Sequence, residues 1–289
     1  MAASLMSTVS MPDYTKASIL MALKTPAGLR TVWIVVEAED DVRVYGKFVN
    51  PDTTMVKTST DSRGRKGYAN VETVVTEVKD EVPKSHILGI RDADYSRYEV
   101  ETHCFPDNVF ATDYRDLEMT LMKSDRVKTA FKKWTDRYDE VLAISEPICR
   151  FWGYMRIYNH IYDLSCPFHN KLKITKFWDF NAHALSGNWK EKSLSLFITL
   201  VGNHCTESSF NSFVSTHSLD SDDFYNICRG HDLLSILSLA LVDVHSYSVE
   251  KMMTLMKDAY TLDDFRSTNL YGKIKAWQEN EGVKALMEF

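Results

Sequence analysis

Two short acidic stretches carry the residues of this chain best suited to chemistry, and each follows an apolar run. In "VWIVVEAEDD" the carboxylates Glu37, Glu39, Asp40 and Asp41 come directly after residues 32–36, and in "ILGIRDADY" Asp92 and Asp94 come after residues 87–90. If "DAD" continues a strand, the period of two projects Asp92 and Asp94 to the same side. Glu37 and Asp41 are four apart across a strand-to-helix step, so both can point at one spot above the sheet. The loops at the carboxyl ends of parallel strands are where open α/β sheets place their sites. Carboxylates that converge there repel one another and cost free energy unless a positive charge sits between them. A hard divalent cation, Mg²⁺ or Mn²⁺, removes that cost and takes oxygen ligands. Two such ions about 4 Å apart suit in-line phosphoryl displacement, so the chemistry suggested is phosphodiester cleavage. The plainer role for acidic residues at a helix start is to complement the helix dipole. That role is assigned to Glu39 and Asp40, which are expected to face solvent.

These residues need a sheet to position them. "TVWIVVE" has the β-branched run of a strand buried on both faces, "DDVRVYGKFV" fits a short helix with Val42, Tyr45 and Phe48 inward, and "TTMVKTST" reads as a second strand. "VETVVTEVKDEV" has helical spacing, "HILGI" is a third strand, and "NVFATDYRDLEMTLM" gives a short strand followed by an acidic turn that opens a helix. A helix is also expected near residues 15–24, closed by Pro26 and Gly28. This alternation over residues 30–122 is that of a βαβ domain. From about residue 119 the pattern turns helical, through "FWGYMRIYNHIYDL", "DLLSILSLALVDVH", "VEKMMTLMKDAY" and "YGKIKAWQENEGVKALMEF". The expected organisation is an N-terminal extension (1–30), an α/β catalytic domain (31–125) and a mainly helical C-terminal domain (126–289) for substrate binding, dimerisation or partner docking.

Composition narrows the class. The chain has 289 residues, 44% hydrophobic, and a formal net charge of −6, which argues against a broadly basic coat for nucleic acid but leaves room for local basic patches. Five cysteines without repeated spacing and no apolar signal segment suggest reduced thiols and a cytoplasmic location. No apolar run reaches the roughly 18 residues of a membrane span, so no membrane partner is expected.

With the fold and the acidic pairs in view, the chain resembles a known family. "VVEAEDDVRVY" followed by "ILGIRDADY" is similar to the TOPRIM domain, a Rossmann-like, mostly parallel sheet with a Glu after one strand and a DxD after another. "FATDYRDLEMTLM" and "CRGHDLLSIL" resemble the OLD-like TOPRIM nucleases, in particular the AriB-type effectors of the PARIS anti-phage defence systems. The likeness runs from about residue 30 to about residue 280. It implies a Mg²⁺- or Mn²⁺-dependent nuclease with two ions. Glu37 and Asp41 would take the first acidic motif, Asp92 and Asp94 the DxD, and Glu118 with Asp116 a further metal position in "RDLE". Glu37 would be ligand or general base. Where the family has Gly after the first Glu, this chain has Ala38.

The resemblance further implies an AriA-like ATPase sensor subunit that restrains the effector until a phage protein triggers release. The freed nuclease, a homodimer, would then cut host tRNA. The chain has neither GxxxxGK[ST] nor GxGxxG, consistent with a separate ATPase. A DNA endonuclease of the OLD type and a non-catalytic adaptor docking on an ATPase are the alternatives.

Two basic stretches are candidates for nucleic acid. Arg63, Arg65 and Lys66 lie on the loop "DSRGRKGY", and Lys132 and Lys133 belong to "KSDRVKTAFKKWTDR" with its interleaved Phe131 and Trp134. For the second stretch a solvated helix face is the simpler expectation. Cys166 with His169 and His204 with Cys205 lack a second pair at finger-like spacing, so zinc is not expected. His231 in "RGHDLL" is weighed equally as a substrate contact and as a packing residue.

Overall fold

A computed structural model describes residues 13–59, 67–81, 86–99, 105–182, 184–241 and 247–287, without the side chains of Asp13, His169 and Asn170. Elements are labelled in chain order. The chain forms two compact units: one made of residues 1–92, 104–113 and 261–289, the other of residues 93–103 and 114–260. The units do not divide the chain at a single point in sequence, because the chain passes between them several times.

The first unit is built on a four-stranded parallel sheet of order β2-β1-β3-β4, with β1 Val32–Val36, β2 Thr54–Thr58, β3 Ile87–Arg91 and β4 Val109–Ala111. All five residues of β1 are buried, as its unbroken apolar run requires of a strand paired on both sides. Helices α1 (Asp13–Ala22) and α3 (Tyr68–Lys79) join one core. There Ile19, Val71, Val74, Val75 and Val78 meet Trp33, Val35, Ile87 and Val109. Residues 13–30, expected as an extension, therefore belong to the sheet unit through Ile19. Helix α2 (Glu39–Tyr45) buries Val44 and Tyr45, with Phe48 buried just beyond it, while Val42 is only half-buried.

The C-terminal segment completes this unit with α13 (Leu262–Arg266) and α14 (Asn269–Glu281). Phe265 stacks on Phe48 at 5.2 Å and meets Tyr45 at 5.7 Å. The Asp113 carboxylate accepts from the amides of Asn269 and Leu270 at 2.6 and 2.8 Å, capping α14. The helix expected to run to the end of the chain stops at Gly282, which is left-handed at φ 70°. Leu286 then forms an antiparallel bridge to Val49.

The second unit is mainly helical. It contains α4 (Leu117–Lys123), α5 (Asp125–Trp134), α6 (Tyr138–Ile161), α7 (Phe168–Lys171), α8 (Trp189–Val201) and α9 (Glu207–Thr216), then α10 (Phe224–Ile227), α11 (Gly230–Ala240) and α12 (Val249–Ala259). A two-stranded antiparallel ribbon, β5 (Trp178–Asp179) and β6 (Ala184–Leu185), interrupts them. Its strands are too short to leave a periodic signal. The aromatic stretch "FWGYMRIY" lies in the C-terminal half of α6 and is buried within the unit from Phe151 to Tyr158. It is core of the chain itself. A buried ion pair, Arg156 to Asp232 at 2.8 Å, ties α6 to α11.

Candidate active site

The strand order defines where a site can sit in the first unit. From β1 the chain goes to β2 on one side and then returns to β3 on the other, so the loops leaving β1 and β3 diverge at the switch point of the sheet. Glu37 is the residue after β1 and Asp92 the residue after β3. The two are joined there: Glu37 Oε1 accepts a hydrogen bond from the Asp92 amide at 2.8 Å. Glu37 is half-buried, which leaves its carboxylate within reach of solvent.

The neighbouring residues are held by local geometry. Ala38 is extended at φ −141°, ψ 171°, a conformation open to any residue, so alanine fits where the resembling family has glycine. Its amide donates to Asp41 Oδ2 at 2.8 Å. Asp41, 8% exposed, thus reaches back from the first turn of α2 to satisfy the N-cap amide. The dipole-complementing role assigned to Glu39 and Asp40 therefore extends to Asp41. Glu39 is exposed and Asp40 half-buried. Beneath Asp92, the buried Arg91 is clamped by an ion pair with Glu72 of α3. Its Nε donates to the Asp92 carbonyl at 2.9 Å, and its guanidinium lies 4.0 Å from the Tyr68 ring and 5.0 Å from that of Phe105.

The strand ends at Arg91, so the alternation expected through "DAD" does not apply. Asp94 is in a turn and left-handed at φ 45°, a region that Asp tolerates better than most residues. In the second unit its amide donates to the Arg115 carbonyl at 2.8 Å. Arg115, 3% exposed, donates to the Ile227 carbonyl at 2.9 Å and to the Tyr95 hydroxyl. Burial alone would pull its pKa down, but Tyr95, Asp116, Asp94 and Asp232 together hold it above the ordinary value.

Asp116 is the N-cap of α4. Its Oδ1 accepts from the Met119 amide and its Oδ2 from the Gly230 amide, each at 2.9 Å. Burial pushes its carboxyl up, against the opposing pull of Arg115 and those two amides. Both oxygens are engaged by backbone donors, so Asp116 acts here as a strut between α4 and α11. Gly230 is required at that contact: a Cβ there would lie 2.2 Å from Glu118 Cβ and 2.8 Å from Asp116 Oδ1. Glu118 is half-buried in the first turn of α4.

The motif "RGHDLL" contributes mainly through Gly230 and Asp232. His231 is exposed on the first turn of α11, with Nδ1 3.5 Å from Ser235 Oγ. The signal for Arg115 and Gly230 is in "YRDLE" and "RGHD", but neither stretch shows that its partner lies in the other.

Arg63, Arg65 and Lys66 lie outside the described residues. Lys132 is exposed and paired with Asp139 at 2.9 Å, and Lys133 is exposed beside it, as expected of a solvated helix face. His204 is exposed, whereas Cys205 is buried.

Among the described residues no group of three or more His, Cys, Asp or Glu is arranged to hold a metal ion. The oxygen donors at Glu37 and Asp92 are nonetheless of the right kind for Mg²⁺. That ion commonly takes only one or two carboxylates and fills its shell with water and substrate phosphate oxygens. The described residues therefore do not form a closed protein cage, and the chemistry of the donors is compatible with a cation that draws most of its shell from water and substrate. Among the described residues no helix is long and apolar enough to cross a membrane. No family model matches the chain in a comparison with known protein families, and no curated protein matches its sequence.

Proposed function

We propose that the chain is a TOPRIM-type nuclease that uses Mg²⁺ or Mn²⁺ to cleave tRNA, the effector of an anti-phage defence system restrained by an ATPase partner. The observation that carries this reading is the Glu37 carboxylate fixed by the Asp92 amide at the switch point of a parallel sheet. Glu37 and Asp92 are the residues that would hold the cation. Asp94 and Glu118 belong to the second unit and enter the reading through the family resemblance alone, as do the tRNA substrate, the ATPase, the phage trigger and a dimer on release. The chemistry such a cation supplies is polarisation of a phosphodiester and activation of water. The chain's own part is to present Glu37 in one rotamer, since a carboxylate held by a backbone N–H does not have to be ordered when substrate arrives.

The lack of a three-carboxylate group among the described residues favours one other reading, a non-catalytic adaptor of the same fold.

The test is incubation of the purified protein with tRNA and with duplex DNA, in Mg²⁺ and in EDTA, beside Glu37→Gln and Asp92→Asn. Gln keeps a hydrogen-bond acceptor for the Asp92 amide and removes only the charge, so the fold is retained while cleavage drops at least about a hundredfold, the usual scale for loss of a key transition-state interaction. Equal cleavage by all three proteins would sink the assignment. Cleavage of DNA alone would move it to the OLD-type endonuclease. Calorimetry with Mg²⁺ in the presence of a non-cleavable RNA analogue separates the adaptor, which should give no heat that disappears in Glu37→Gln.

A further inference from the structure

The second unit carries a cluster of rings and cations that the carboxylate site does not use. Tyr114, three residues before α4, and Tyr225 of α10 have ring centroids 5.7 Å apart at an interplanar angle of 59°. Lys123, at the end of α4, places Nζ 5.2 Å from the Tyr114 ring and 4.6 Å from that of Tyr225. Lys128 of α5 reaches to 5.6 Å from the Tyr225 ring. Behind them Arg150 of α6 lies 5.8 Å from Phe224. Tyr114, Tyr225, Lys123 and Lys128 are all half-buried, and the ammonium groups lie over the ring faces, where a base could stack only once the lysines swing aside.

Each cation has an acidic neighbour in the protein alone: Lys123 has Asp223 at 2.9 Å, Lys128 has Asp125 at 3.4 Å and Arg150 has Glu146 at 3.2 Å. Pairs this exposed are worth at most about 1 kcal/mol. A phosphate can therefore take over from a carboxylate as the lysine's partner without a large penalty. Lysines that swing from the ring faces to phosphates leave what single-stranded nucleic acid needs, because unpaired bases stack on rings while the backbone follows positive charge. A duplex keeps its base faces stacked inside and cannot use the rings.

We propose that Tyr114, Tyr225, Lys123 and Lys128 form a platform for unpaired nucleotides of a single-stranded RNA segment, the rings taking the base and the lysines the adjoining phosphates. This rests on the reading of the chain as an RNA-directed nuclease, and it names the surface by which substrate is held. Glu118, the further acidic position of that reading, lies in the same helix as Lys123.

The experiment is fluorescence anisotropy of a labelled single-stranded oligoribonucleotide of about ten nucleotides, within the site sizes of such surfaces, in EDTA, with a blunt RNA duplex as control. Stacking worth about 1–3 kcal/mol per base makes Tyr225→Leu bind at least about fivefold more weakly, while Tyr225→Phe, which keeps the ring, stays within about twofold of wild type. Lys128→Gln reduces the slope of log affinity against log salt by about 0.7, one phosphate contact on a single strand. Lys128 is on the surface of α5, so this variant decides between the outcomes if Tyr225→Leu proves less stable. Absence of wild-type binding, equal affinity for duplex, or unchanged affinity and salt slope in these variants overturns the platform. Cleavage in Mg²⁺ is scored separately. Binding with this pattern but without cleavage keeps the platform and removes the nuclease, whereas cleavage with unaltered binding in the variants does the reverse.

Discussion

Glu37, Asp41, Asp92 and Asp116 are four acidic residues of similar standing in the sequence, and hydrogen bonding separates their roles. Asp41 and Asp116 spend carboxylate oxygens on backbone amides at helix starts, whereas Glu37 uses one oxygen to grip the loop after β3. The Asp116 strut makes Gly230→Ala a sharp test. The added methyl would overlap Glu118 Cβ, which cannot swing away, so α11 must back off from Asp116. A loss of about 1–3 kcal/mol is expected, read from urea unfolding. A second test concerns Asp223. Burial alone would raise its carboxyl, but the hydrogen bond from Lys123 and the Tyr225 amide bring it below the usual carboxylate range. A carboxyl lowered in the folded state stabilises above its unfolded pKa and loses that contribution as pH falls through the folded value. Asp223→Asn keeps an acceptor for the Tyr225 amide. Its stability deficit, about 1 kcal/mol or less for an exposed pair, should be present at neutral pH, shrink as pH falls past the carboxyl's ordinary 3.8 and vanish below the lowered folded value.

At the scale of elements, the strands and most helices are legible because burial periodicity is local. β1 reads as a doubly buried strand and is one. Helix α2 begins where its acidic residues place it, yet it buries Val44 where Val42 was expected. The packing of α3 on β3 was not legible. It depends on Gly89, where a Cβ would lie 2.7 Å from Val71 Cγ1 and 3.0 Å from Val75 Cγ2. Gly89→Ala should cost about 1–3 kcal/mol by overpacking. Adding Val71→Ala should recover part of that loss, since the two changes share one space. Additive losses in the double mutant, measured by thermal or urea unfolding, would remove the close approach as the reason for this glycine.

At the scale of the whole molecule, the chain returns to its first unit after residue 260, although its helical periodicity there suggests a continuous helical domain. Phe265, 2% exposed, packs on Tyr45, Phe48 and Tyr271. Phe265→Ala should therefore cost about 3–5 kcal/mol. Hydrogen exchange should quicken in α2, far from residue 265 in sequence, and unchanged exchange there would argue against this packing. By itself the sequence determined the strand and helix alternation, the acidic residues at strand ends and the helical character of the later chain. All of these follow from side-chain periodicity and end-capping within a few neighbours. Tertiary structure alone decided that Glu37 meets Asp92 and Asp116 meets Gly230, and that the last segment closes the sheet unit. Those outcomes rest on groups joined across long stretches of chain, and a backbone amide leaves no residue-specific trace in sequence of the partner it will find.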